Sequence, residues 1–180
     1  MKVVYKLKQE DYLQYALFYD SIDEQSKKLR WKAWASVILA FIIFGVLLYN
    51  YADGFVIYVY AITATLVAVA FPFYHKSRLK KLHIGAIKKN YKHSFDKPKE
   101  LLFDDDFLEI SSELERSKLD YSAIESIQEI ASHYFLNLKS GIHIIIPKAT
   151  LKNDNSVATR LDILCKKYGI VHSKNLDWKW

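Results

Sequence analysis

Two stretches of this chain carry no charge. Ala33 to Ala52 is a run of 20 residues (AWASVILAFIIFGVLLYNYA), and Gly54 to Tyr74 is a run of 21 (GFVIYVYAITATLVAVAFPFY), with Asp53 alone between them. A helix rises about 1.5 Å per residue, so roughly 20 apolar residues match a hydrocarbon core of about 30 Å. Both runs reach that length. Soluble helices of this size keep a polar face, and these do not. A secretory signal is not expected either, because the first run begins some 30 residues in and lacks a small-residue cleavage pattern near its end.

The chain average conceals this. Over 180 residues the net charge is +6 and 51% of positions are hydrophobic, with a mean hydropathy of −0.05. Split by segment, residues 27–99 hold 13 Lys/Arg against 2 Asp, residues 1–26 hold 3 against 5, and residues 100–180 hold 10 against 13. The basic character therefore borders the apolar runs and marks no nucleic-acid interface, and no DNA or RNA motif accompanies it. One Cys, five Gly and three Pro exclude disulfide-stapled and collagen-like classes, while 10 Phe, 13 Tyr and 4 Trp exclude general disorder.

The link between the runs fits only a tight hairpin, so both outer ends lie on one side of a membrane. Lys and Arg crowd both outer flanks and are missing from the loop, which places both termini of a multi-pass membrane protein in the cytoplasm and the loop outside. Trp31, Lys32 and Trp34 open the first span at interface depth, Tyr49 and Tyr51 close it, and Lys76, Arg78, Lys80 and Lys81 follow the second. The lipid bilayer and its anionic headgroups are the first expected partners. Ser36, Ala40, Ala61, Ala64 and Ala68 are small enough to pack the hairpin on itself, with a homo-oligomer contact as the alternative. Neither span holds an Asp, Glu, Lys, Arg or His, so neither offers candidate residues for an ion or proton path.

The organisation expected is residues 1–30 as an N-terminal strand and helix, 31–75 as a transmembrane hairpin, 76–98 as a basic amphipathic stem, and 99–180 as a cytoplasmic domain. Pro72 would fall in the last turn of the second span, and Gly85 weakens the stem as a continuous rod. Strands are expected over Leu101–Phe103, Phe107–Ser112, Leu114–Asp120, Ile124–Ile130, Tyr134–Lys139 and Ile142–Ile146, with turns at Asp104–Asp106 and Ser140–Gly141. Asn155 or Ser156 would cap a helix running to Tyr168, its apolar face carrying Val157, Leu161, Leu164 and Cys165, with Gly169 as its stop. Val3, Tyr5 and Leu7 alternate with lysines. A lone strand is not stable, so Lys2–Lys8 should join the C-terminal sheet as a seventh strand. The fold class is thus membrane α+β: a two-helix hairpin with a small antiparallel barrel closed by a C-terminal helix.

The order of motifs is similar to that of the YcxB-like family of bacterial membrane proteins. It runs V-x-Y-x-L-x-x-E-D-Y (Val3 to Tyr12), the hairpin, F-x-D-D-x-L-E-I (Phe103 to Ile110), Tyr121-Ser122-Ala123-Ile124 with Ile127-Gln128-Glu129, and I-I-I-P-K (Ile144 to Lys148). The resemblance implies a cytoplasmic part like a pleckstrin-homology (PH) module, and no catalytic or ligand-binding residues.

Sites are sparse in the sequence. His75, His83 and His93 lie among lysines, a poor place to gather a cation. His133 and His143 flank an expected hairpin and could approach across it, with His172 beyond. No pair has zinc spacing, Asp104–Asp106 lacks a calcium-loop pattern, and no nucleophile motif is present. No metal, cofactor or catalytic residue is expected, and no enzyme. The Lys/Trp tail ending in Trp178 and Trp180 would either touch the bilayer or pack on the domain. Function would be binding, with a protein or peptide partner, in settings such as bacteriocin self-immunity or envelope stress resistance; an accessory subunit of a transporter or envelope complex is the alternative.

Overall fold

A computed structural model describes residues 1–112, 116–151 and 154–180, with Asp154 described by its backbone alone. The chain divides into two compact units: Met1–Phe18 with Ala86–Trp180, and Tyr19–Gly85.

The first unit is built on two sheets. β1 (Lys2–Lys6), β2 (Pro98–Phe103), β3 (Phe107–Ser112) and β4 (Arg116–Asp120) form one antiparallel sheet in that order. β1 pairs with β2 from Lys2↔Leu102 to Lys6↔Pro98, so the first residues of the chain are stitched to residues about a hundred positions away. The alternation of the sequence dictates its inner face: Tyr5, Leu101, Phe103 and Leu108 are buried, while lysines 2 and 6 point outward. Leu114 and Glu115, expected to begin the fourth strand, lie outside the described residues.

β5 (Ile124–Ile130), β6 (His133–Leu138), β7 (His143–Pro147) and β8 (Val171–Asn175) form the other sheet, in the order β7-β6-β5-β8. This corrects the expected closed antiparallel barrel. The meander breaks at a one-turn 3-10 helix over Tyr121–Ala123, where Asp120 accepts from the Ser122 N–H (2.7 Å) and the buried Tyr121 hydroxyl donates to Asp104 O (2.8 Å). That turn sends β4 and β5 into separate sheets. The second sheet is also mixed, because β8 runs parallel to β5. A helix does not close the domain alone: α4 (Asp154–Tyr168) is followed by β8. Asn155 and Ser156 lie inside the first turn of α4 and not ahead of it, so neither is its cap. Gly169, at φ +67°, makes the left-handed step that ends α4, and Ile170 N–H donates to Cys165 O (3.1 Å).

α1 (Gln9–Ile22) begins in this unit, its first turn tied by Lys8 N–H to Asp11 Oδ2 (2.6 Å). Tyr12, Leu13, Leu17 and Phe18 are buried. The Tyr12 ring stacks on Tyr91 at 4.6 Å, so the end of α3, with buried Ile87, belongs to the same core.

The second unit is two helices. α2 (Glu24–Tyr49) starts at Asp23, whose carboxylate accepts from Ser26 N–H (2.6 Å). That bond holds the Asp23 carboxyl below its usual range. Arg30 Nη1 reaches back 2.6 Å to the Asp20 carboxylate at the end of α1. α3 (Gly54–Tyr91) is one helix of 38 residues, about 57 Å long at 1.5 Å per residue. It continues through Pro72 and Gly85, so the basic stretch prolongs the second apolar run without a break.

Candidate functional site

The only buried charged groups with several ionic partners among the described residues converge on Glu129. It sits on β5, a strand whose alternating pattern buries Ile127 and places Glu129 on the same face. In the parallel register Ile127 stands beside His172 and Glu129 beside Lys174, so these β8 side chains share that face. α4 supplies the opposite wall. Its Leu161 and Leu164 are buried, and Asp162 lies between them in sequence.

The contacts form a chain in which carboxylates alternate with nitrogen-bearing side chains. Glu129 Oε1 accepts from Lys148 Nζ at 2.7 Å, and its Oε2 lies 3.0 Å from His172 Nε2 and 3.9 Å from Lys174 Nζ. The other nitrogen of His172, Nδ1, is 3.1 Å from Asp162 Oδ1, which in turn lies 3.9 Å from Lys174 Nζ. The Glu129 and His172 side chains are 10% and 9% exposed. Lys148 also lies over the Tyr134 ring, 4.5 Å from its centre. A carboxylate as far out of water as Glu129 is tolerated only when paired, and both Glu129 and Asp162 have more than one partner here. The groove between β5 and α4 thus has an acidic floor whose donors come from β8 and from the turn after β7. Beside it, Cys165 is half-buried, and burial together with nearby Asp162 pushes its thiol pKa up.

The predicted histidines are not gathered. His133 pairs with Pro147 and His143 with Asn137, at opposite ends of the β6–β7 ladder, so the two do not approach across the hairpin. His133 is buried, with Nε2 3.0 Å from Asp11 Oδ1 and Nδ1 2.7 Å from Ser132 Oγ, and joins β6 to α1. Phe135 continues that face against Tyr15 and Phe18. His143 Nδ1 lies 3.0 Å from Asn137 Oδ1, and its ring rests 4.9 Å from Tyr15. Partial burial lowers the His143 pKa below its ordinary 6.5. The unfolded chain then binds this proton more readily than the native one, so stability rises with pH through that range and is lost as pH falls below about 6.5. His143→Gln should flatten the acid limb of stability between pH 7 and 5, measured by guanidinium unfolding. An unchanged limb would assign it to other groups.

The three aspartates 104–106 form a tied turn: Asp104 N–H donates to Phe107 O (3.0 Å), and Asp104 O accepts from Arg160 of α4. No cluster of His, Cys, Asp or Glu that could hold a metal occurs among the described residues. In the tail, Trp178 packs edge-on against Phe18 at 5.4 Å. Trp180 is half-buried.

In the helical unit, Trp31, Tyr49 and Tyr51 are exposed by 67%, 73% and 90%. Lys32, Lys76, Arg78, Lys80 and Lys81 are exposed as well. Trp34 differs, because its indole N–H donates to Ala68 O on α3 (3.1 Å). Further along, the Tyr60 hydroxyl donates to Phe41 O. A Cβ at Gly45 would meet Tyr60 Cε1 at 3.0 Å, so any larger residue there requires that ring to shift by a few tenths of an ångström. Ala64 and Ala68 belong to this seam, whereas Ser36, Ala40 and Ala61 are exposed. The sequence marked the small residues but could not assign them to faces.

The sequence signal missed altogether was the groove: β8 is polar, and Asp162 reads as a surface residue of α4. The comparisons bear on the sheet unit. Residues 103–163 match the family model described as YcxB-like protein, in agreement with the resemblance read from the motifs. That stretch includes Glu129, Lys148 and Asp162 but not β8. No curated protein and no solved structure matches the chain.

Proposed function

We propose that this chain is a two-span membrane protein whose sheet unit, PH-like in layout, works in the cytoplasm as a non-enzymatic binding module. One observation carries the membrane part. Within the apolar windows of α2 and α3 no residue is buried; Leu39, Ile43 and Phe44 on α2, and Ile62, Leu66 and Phe73 on α3, are each more than half exposed. A soluble protein does not leave such a surface in water, whereas lipid tails cover it without cost. The hydrogen bonds from Trp34 and Tyr60 fit this setting, since helices in lipid associate through packing and interhelical polar contacts. Orientation follows from the lysines and arginines on both outer flanks. The PH-like reading rests on the order of elements: a four-stranded antiparallel sheet, a second sheet opening with three antiparallel strands, then a helix.

Cysteine labelling tests the arrangement. With Cys165 replaced by Ser, a single Cys at Asn50 should react with a membrane-impermeant maleimide in intact cells. Native Cys165 in an otherwise unaltered chain should stay unlabelled until the cells are permeabilised. Labelling of position 50 only after permeabilisation would reverse the orientation, and extraction of the protein by alkaline carbonate would end the spanning proposal.

A further inference from the structure

β8 is attached to the sheet unit in an unusual way. It adds to β5 in parallel, from Ser126↔Val171 to Ile130↔Asn175. None of its five residues is fully buried, and Val171 is 63% exposed, while β5 beside it buries Ile127 and Ile130 completely. β8 itself is held by its backbone ladder, the bond from Asn175 Nδ2 to Gln128 Oε1 (3.3 Å), and the groove contacts of His172 and Lys174, and its flanks are anchored by the buried Ile170 and by Trp178 against Phe18. An edge strand with no buried apolar side chain is among the least costly elements of a fold to detach. Gly169, in its left-handed conformation, and the buried Ile170 connect it to α4.

We propose that the groove between β5 and α4 is a strand-docking site, filled in cis by residues 171–175 and open in trans to an extended segment of a partner protein that carries cationic side chains at alternate positions. The chemistry of the groove selects that partner. With β8 removed, Glu129 keeps Lys148, but Asp162 loses both His172 and Lys174, so the vacated floor is net acidic and offers only acceptors to the incoming strand. The exposed edge of β5 supplies backbone hydrogen bonds to any extended chain, and the carboxylates then read every second residue. A strand bearing Lys, Arg or His at positions i and i+2 satisfies both, while an acidic or apolar strand leaves Asp162 unpaired and Glu129 with Lys148 alone. The same logic makes β8 a resident competitor: its local concentration keeps weak strands out, and only a partner of higher affinity or abundance displaces it.

This deepens the binding-module reading and rests on it. The test uses the full chain in detergent micelles, with a protease site inserted after Gly169 and cut after purification. The probe is a fluorescein-labelled peptide of residues 170–180, alongside the same peptide carrying His172→Glu and Lys174→Glu. The cut chain should exchange its tail for the labelled peptide, giving a saturable rise in anisotropy. The uncut chain and the charge-reversed peptide should each bind at least tenfold more weakly. Equal binding of both peptides, no exchange of the cut tail, or tails that trade between copies to give a swapped dimer would overturn it. Should the insertion disturb folding, uncut Lys174→Glu serves instead. Its β8 amides should exchange with deuterium at least tenfold faster than in the parent, with β6 unchanged and Cys165 alkylated faster. Amides of β8 that stay as protected as those of β6 would refute a displaceable strand. Labelling of position 50 from outside is independent of all these readouts, so a failed groove is distinguishable from a failed membrane module.

Discussion

Deleting residues 2–8 is expected to lower the melting temperature of the sheet unit by roughly 20 °C or more, the shift that about 5 kcal/mol produces in a unit of this size. The loss has three parts. Tyr5 and Leu7 are 3% and 2% exposed, and burying such side chains contributes about 1.5–3 kcal/mol each. The β1–β2 ladder disappears over five registered pairs, leaving the β2 edge unpaired. Leu7 O also loses Asp96 N–H (2.9 Å), the bond that ties the residues after α3 to β1. Single domains are stable by only about 5–15 kcal/mol, so this truncation removes a large share of the total. Val4→Ala is the control. Val4 is 51% exposed on the outer face, and its truncation should change stability by no more than about 0.5 kcal/mol. The measurement is thermal unfolding of the full chain in micelles, followed by circular dichroism. A truncated chain that melts with the parent would mean that β1 adds nothing to the sheet.

Residues 2–8 also illustrate what could be read from sequence. Val3, Tyr5 and Leu7 alternate with lysines, and a strand of that pattern needs a partner on the same side of the hairpin; β1 in the sheet follows from those two facts. The strands β2 to β7 were legible for the same reason, since short alternating runs between turn residues have few other solutions. Closure was not legible. Six or seven strands make a barrel only if the ladder never breaks, and the break at Tyr121–Ala123 depends on a hydrogen bond to Asp104 that no local pattern announces. Gly85 misled in the other direction: it costs a helix about 1 kcal/mol in backbone entropy, yet α3 passes through it, as it does through Pro72, and runs on to Tyr91.

The groove was hidden for a different reason. Val171-His172-Ser173-Lys174-Asn175 has no apolar alternation, so nothing local marks it as a strand. Its pairing with β5 is a tertiary event that needs α4 to reverse the chain first. Glu129 lies in the run Ile127-Gln128-Glu129-Ile130, where an acidic residue reads as solvent-facing. Its burial becomes visible only once Lys148, 19 residues on, and His172, 43 residues on, are placed around it. Asp11 and His133, 122 positions apart, show the same limit.

Glu129→Ala is expected to destabilise the sheet unit by about 3–5 kcal/mol, the range for breaking a buried ion pair from one side. The cost does not come from a lost attraction alone. Removing this carboxylate leaves the ammonium of Lys148, 15% exposed, without its 2.7 Å acceptor, and takes from His172 the oxygen facing Nε2. Glu129→Gln keeps the shape and one acceptor oxygen, so it should lose less. Lys148→Met lifts the stranded cation and keeps an apolar stem over the Tyr134 ring. Combined with Glu129→Gln, it should therefore recover part of the loss, giving a coupling of about 1–3 kcal/mol between the two positions. The readout is the guanidinium unfolding midpoint of each single and double variant at fixed slope. Strictly additive losses would mean that Glu129 and Lys148 act independently. A Glu129→Ala chain as stable as the parent would mean that water reaches the carboxylate, and that the groove floor is a solvated surface with no preference for the charge of the strand lying on it.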